Sequence, residues 1–199
     1  MTASQQRIEK LLKRGAPLRS QELERAGLTR IELSRMVASG QLLRVARGLY
    51  AAPGYQSGEH DALVAVAKRA PKALFCLLTA LRFHDLTTQA PHEVWIAIGN
   101  KEHPPRLNYP PIRAMRYSAE SLTAGVEPHK IDGTAIRVTS ISKTVADCFK
   151  FRNKIGLDVA LEALREARRS KKLSADELWR YARINRVANV MRPYLEATG

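Results

Sequence analysis

Acidic residues are in short supply in this chain. It has 19 of them against 33 lysines and arginines, a formal charge of +14. An excess that large favours a polyanionic partner, either nucleic acid or an anionic membrane surface. Long apolar runs are missing as well: none approaches the ~18 residues that a spanning helix needs. The N-terminus, MTASQQRIEKLLKR, is amphipathic rather than a signal peptide. The two cysteines, Cys76 and Cys148, lie in apolar surroundings without a C-x-x-C spacing. They read as buried free thiols of a cytosolic protein. Together these absences move the expectation away from a membrane and toward nucleic acid in the cytoplasm.

The usual catalytic signatures are also absent or incomplete. Neither G-x-x-x-x-G-K-[ST] nor G-x-G-x-x-G occurs, so no glycine loop is available to cradle a phosphate. His92-Glu93 begins like H-E-x-x-H, but Ile96 stands where the second histidine would be. His60, His84, His103 and His129 are far apart and lack ligand spacing. Ser140-Ile141-Ser142-Lys143 matches S-x-x-K, but its S-D-N and K-T-G companions are missing. A metal-dependent nuclease would have to gather acids such as Asp61, Asp85, Glu93 and Glu102 through the fold. Asp147 in KTVADCF reads as a helix-anchoring hydrogen-bond acceptor. The expectation is a protein that is not an enzyme, with no metal, no cofactor and no small-molecule substrate.

What is present is organised. With 45% hydrophobic residues the chain can bury a real core. Residues 1–55 carry 10 basic and 4 acidic residues (+6), residues 56–142 carry 10 and 8 (+2), and residues 143–199 carry 13 and 7 (+6). Both ends are basic around a nearly neutral middle. Ile8, Leu11 and Leu12 predict a one-faced helix within 4–14, closed by Gly15 and Pro17. Ser20 is placed to cap a second helix with Leu23 inward, ending at Ala26-Gly27. Thr29 and Glu32 then form a capping box, Leu28 and Leu33 a hydrophobic staple, and Gly40 a left-handed stop after about Ser39.

SGQLLRVARGLYAAPG (39–54) follows as a hairpin broken at Ala46-Arg47-Gly48. Three short helices and a hairpin are the order of a winged helix-turn-helix, whose second helix of the pair enters the major groove. On a wheel of about 100° per residue, Leu33, Met36 and Val37 face inward. Arg30, Ser34, Arg35 and Ala38 face outward with Ile31 among them. Ile31 could touch a thymine methyl, or pack against the wing or the next domain. Arg44 lies within a strand of the hairpin and Arg47 at its turn.

Tyr55–Glu59 reads as a linker, and the remainder as a mixed α/β domain with a small sheet and a helical C-terminal half. Helices are predicted at 60–70 and 73–84, the latter almost entirely apolar. Strands are predicted at Val94–Ile98, Ile112–Tyr117 and Thr134–Val138, the last after an Asp132-Gly133 turn. Helices follow at 142–151, 157–169, 174–184 and 187–197, with Asp158 and Asp176 as N-caps. The class is therefore α+β, with a winged helix-turn-helix domain at 1–55 and a second domain at 60–199.

These residues carry a family resemblance. The hairpin after its helix pair resembles the winged-helix signature of AbiEi-like antitoxins of type IV abortive-infection systems. ALFCLLTALRFHDLT, EVWIAI and IRVTSISKTVADCFKFRNKIGLDVALEALREA are similar, in order, to the family's later segments. The resemblance implies a DNA-binding domain that represses its own operon, and a C-terminal domain of antitoxin type, needed to neutralise a nucleotidyltransferase-like toxin. The expected DNA contacts are Arg19, Ser20, Thr29, Arg30, Ile31, Ser34, Arg35, Arg44 and Arg47, with duplex operator DNA as the partner. Two alternatives stay open: a winged helix that docks protein without binding DNA, and a metal-dependent nuclease. Arg165, Arg168, Arg169, Lys171 and Lys172 extend the DNA footprint, meet an acidic partner or are only solvated.

Overall fold

The computed structural model describes residues 11–12, 17–46, 48–55, 58, 60–89, 91–107 and 109–197. Ile8 and Gly15 of the first predicted helix, Arg47 of the hairpin, and Gln56, Ser57 and Glu59 of the linker lie outside these residues. The chain divides into two compact units, residues 1–61 and 62–199. The fold class is α+β, with an N-terminal winged helix-turn-helix and a mixed C-terminal unit.

In the first unit, Leu11 and Leu12 are helical and partly buried against the core. Strand β1 (Leu18–Arg19) leads directly into α1 (Ser20–Arg25), and α2 spans Arg30–Ala38. The hairpin is β2 (Leu43–Ala46) and β3 (Leu49–Ala51), and β1 adds a third strand in the order β1-β3-β2. Two-residue β1 was not visible in the sequence, since a Leu-Arg pair beside Pro17 carries no alternation. Leu18, Leu23, Ala26, Leu33 and Leu42 form the buried core, flanked by Leu28, Met36, Val37 and Tyr50. The staple and the inward stripe of α2 are thus both used in packing. Helix α1 starts one residue earlier than its predicted cap requires: Arg19 is the N-cap and Ser20 already helical. Glu22 explains the shift, because its carboxylate accepts from the Arg19 backbone N–H at 2.7 Å.

The second unit is built on a five-stranded sheet ordered β6-β5-β4-β8-β7. Its strands are β4 (Leu74–Phe75), β5 (Val94–Gly99), β6 (Ile112–Tyr117), β7 (Val126–Ile131) and β8 (Thr134–Thr139). Helices α3 (Asp61–Arg69, whose first residue closes the first unit), α4 (Leu77–Phe83), α5 (Ala119–Thr123) and α6 (Ile141–Lys150) intersperse them, followed by α7 (Arg152–Ile155), α8 (Leu157–Arg169), α9 (Ala175–Ile184) and α10 (Ala188–Ala197). β5 is covered on both faces. Trp95 and Ala97 join one core cluster with residues of α6, α8, α9 and α10, while Val94, Ile96 and Ile98 join another with Leu63, Val66 and Ala67 of α3. The uninterrupted apolar run VWIAI suits such a strand.

Three expectations are corrected here. The predicted helix 73–84 is buried as expected, but Leu74-Phe75 is a central strand, and Leu77 turns sharply into α4 at φ 48°. Strand β7, VEPHKI, went unread because its Glu, Pro, His and Lys hide the pattern. It is an edge strand, where Pro128 is tolerated without a ladder N–H. The caps of α8 and α9 are Gly156 and Ser174; Asp158 and Asp176 sit within the first turns, where they still oppose the helix dipole.

Candidate nucleic-acid interface

Local sequence sets the pose of α2. The Thr29 hydroxyl accepts from the Glu32 N–H at 3.3 Å, and the Glu32 carboxylate accepts from the Thr29 N–H at 2.7 Å and from its hydroxyl at 2.8 Å. The hydrogen bond from the Thr29 backbone is the main reason that the Glu32 carboxyl titrates below its ordinary value, with the Thr29 hydroxyl second. Thr29 therefore fixes the helix entry, and its hydroxyl proton is already committed inside the protein. At the other end, Gly40 stops the helix at φ 72°.

With the inner stripe of α2 in the core, its other face is free. Arg30, Ile31, Ser34, Arg35 and Ala38 are all exposed, as the wheel predicts. Ile31 is 66% exposed, so it does not pack against the wing. The Arg30 guanidinium reaches back to Glu24 of α1 at 3.3 Å, yet its side chain stays 90% exposed. Such a surface pair contributes at most about 1 kcal/mol and can open to a phosphate.

The wing is tied to the helix pair. Ser20 donates its backbone N–H to the Gly48 carbonyl at 3.0 Å, so the hairpin turn is anchored at the start of α1. Gly48 adopts φ 74°, a left-handed turn that a side chain would strain. Arg44 is exposed on β2 opposite Tyr50, next to a register shift between Arg44 and Ala46. Arg19 and Ser20 are half-buried at the β1–α1 junction. Arg47, the expected wing-tip contact, lies outside the described residues. The exposed large apolar side chains among the described residues are Ile31 and Leu43, both in this unit.

The first unit thus presents a capped, basic, outward-facing helix and a wing tied to the helix pair. Residues 6–53 match the family model described as transcriptional regulator, AbiEi antitoxin. The match covers about a quarter of the chain and takes in α1, α2 and the hairpin. The later segments that resemble the family lie outside the matched residues. No curated protein matches the chain significantly.

The second unit shows what the S-x-x-K and Asp147 signals do. Ser140 caps α6, accepting from the Lys143 N–H at 3.3 Å. The Lys143 side chain turns inward to pair with Asp147 and donates to the Ser121 hydroxyl at 3.0 Å. Asp147 also accepts from Asn185 Nδ2 at 2.7 Å and Tyr117 OH at 3.0 Å. Lys143 and Asp147 are fully buried. Burial pushes the Asp147 carboxyl above its ordinary value, opposed by Lys143. Burial likewise pushes the Cys76 and Cys148 thiols far up, so neither is a reactive thiolate. The cluster is a structural rivet. Among the described residues no three His, Cys, Asp or Glu side chains gather to hold a metal, and no helix is long and apolar enough to cross a membrane.

Proposed function

We propose that the protein is a DNA-binding transcriptional regulator acting as the antitoxin of a toxin–antitoxin pair, with residues 1–55 as its DNA-binding domain and residues 60–199 as its antitoxin domain. The observation that carries this reading is the exposed α2 face, basic and backed by a buried stripe, within a unit matching an antitoxin regulator family. Arg30, Ile31, Ser34 and Arg35 enter the major groove. There a bidentate arginine on guanine supplies roughly 1–3 kcal/mol of discrimination, and the isoleucine meets a thymine methyl. Arg44 and Arg47 hold flanking phosphates or enter the minor groove. Arg19, Ser20 and Thr29 stand where the helix starts approach the backbone. The operator is that of its own operon, and the toxin is a nucleotidyltransferase-like protein encoded beside it. The protein works in the cytoplasm and performs no catalysis.

The test is a gel shift of the full chain on DNA from upstream of its own gene. Retarded bands that are lost in R30A/R35A support the reading; unchanged binding in that variant rejects the site. A second reading, docking to protein without DNA, draws on the exposed Ile31 and Leu43. It is favoured if an acidic partner is captured while no DNA affinity appears at ~100 mM salt, where phosphate contacts still hold.

A further inference from the structure

A cleft in the second unit has no part in the DNA-binding reading. Its volume is about 580 Å³, and its walls are Glu120, Thr123 and Ala124 on one side and Arg180, Arg183, Ile184 and Arg186 on the other. Arg180 and Arg183 lie three residues apart on α9, hence on one face. Arg186 follows the helix in a left-handed conformation, φ 57°, which a bulky residue keeps only when its surroundings hold it.

Those surroundings belong to the buried rivet. Asn185, only 4% exposed, donates to Asp147 and accepts from the Ser121 hydroxyl at 2.9 Å, which stitches α5 to the turn after α9. Gly125 allows the walls to close, since a Cβ there would lie 2.8 Å from Lys143 Cβ and Tyr181 Cζ. The backbone that carries the arginines is therefore set before any ligand arrives. All three arginines are exposed, and none has an ion-pair partner within 4 Å among the described residues.

We propose that this cleft binds a nucleoside polyphosphate. Arg183 and Arg186 offer paired N–H donors that match phosphate oxygens, while the Arg180 guanidinium lies over the Tyr181 ring at 5.6 Å and adds charge to the same wall. Glu120, on the opposite wall, can accept from ribose hydroxyls or a base amino group. Ile184 and Ala124 offer the apolar surface that a base or sugar needs. The ligand is bound, with no bond made or broken.

Titration calorimetry on the full chain tests this with ATP, GTP, pyrophosphate and adenosine as probes. Saturable 1:1 binding of a triphosphate is expected, together with weaker pyrophosphate binding and undetectable adenosine. R183A/R186A should weaken triphosphate binding at least about tenfold, and K171A/K172A, which removes equal charge elsewhere, at most about twofold. E120Q should weaken ATP or GTP, whereas pyrophosphate should hold or tighten because a negative charge has left the wall. The proposal falls if both double variants lose equal affinity, if pyrophosphate binds as tightly as the nucleotides, or if no nucleotide binds. Loss of duplex DNA binding alone in R183A/R186A would assign the cleft to DNA backbone and overturn it too.

Discussion

At the scale of single residues, the buried Lys143–Asp147 pair shows how much depends on one partner. Neither side chain touches solvent, and Asp147 is also held by Asn185 and Tyr117. Removing the lysine leaves an uncompensated carboxylate in the core. Lys143→Met is expected to cost about 3–5 kcal/mol in chemical denaturation, and K143M/D147N distinctly less, because the neutral amide removes the orphaned charge yet keeps an acceptor for Tyr117 and Asn185. The cap of α2 gives a pH-dependent counterpart. Glu32 titrates below its ordinary value of 4.5 when folded, so its contribution is present above that pH and is lost as pH falls through the folded value. Glu32→Gln should therefore lower the melting temperature of the first unit at pH 7, and the deficit should shrink as the pH is lowered below 4.5. A deficit that stays the same size throughout an acid titration would show that the carboxylate charge is not what caps the helix.

At the scale of elements, legibility followed periodicity. The capping box, the staple, the outward face of α2 and the four long C-terminal helices were all readable, because each repeats over several turns or has its own chemical punctuation. Two-residue β1 and β4 were not, since a strand so short is defined by its partners: Leu74 and Phe75 pair with both β5 and β8. Edge strand β7 was lost to its polar composition. In the candidate interface, the positions of Arg30, Ile31, Ser34 and Arg35 were legible from the wheel, whereas the tie between Ser20 and Gly48 depends on chain closure and was not. That tie carries its own expectation. Gly48→Ala forces a side chain into φ 74° and should destabilise the wing, weakening DNA binding with α2 itself untouched. Helical content that stays constant by circular dichroism while affinity drops would separate this from unfolding of the helices.

At the scale of the whole molecule, each of the two compact units buries a core of its own. The first unit rests on a small cluster around Leu23 and Leu33, and the second on two clusters facing opposite sides of its sheet. Leu33→Ala should cost about 2–5 kcal/mol, enough to unfold a unit that small while the second persists. Calorimetry should then show a lost or shifted low-temperature transition and an unchanged upper one; a shift of both would mean that the units fold as one. The arginine cleft belongs to the second unit, out of sight to sequence reading because Glu120 and Arg186 meet only through the fold. The basic face of the first unit is the part of the molecule assigned to DNA. The most direct test is the salt dependence of full-chain binding to its upstream DNA, followed by fluorescence anisotropy in the wild type and in R30A, R35A and R44A. Affinity should fall steeply with salt; R44A should lower the log–log slope by about 0.9, and R30A and R35A should weaken binding to this DNA with less change of slope. A wild-type slope near zero, or one that none of the three substitutions changes, would contradict the assignment of α2 and the wing to DNA.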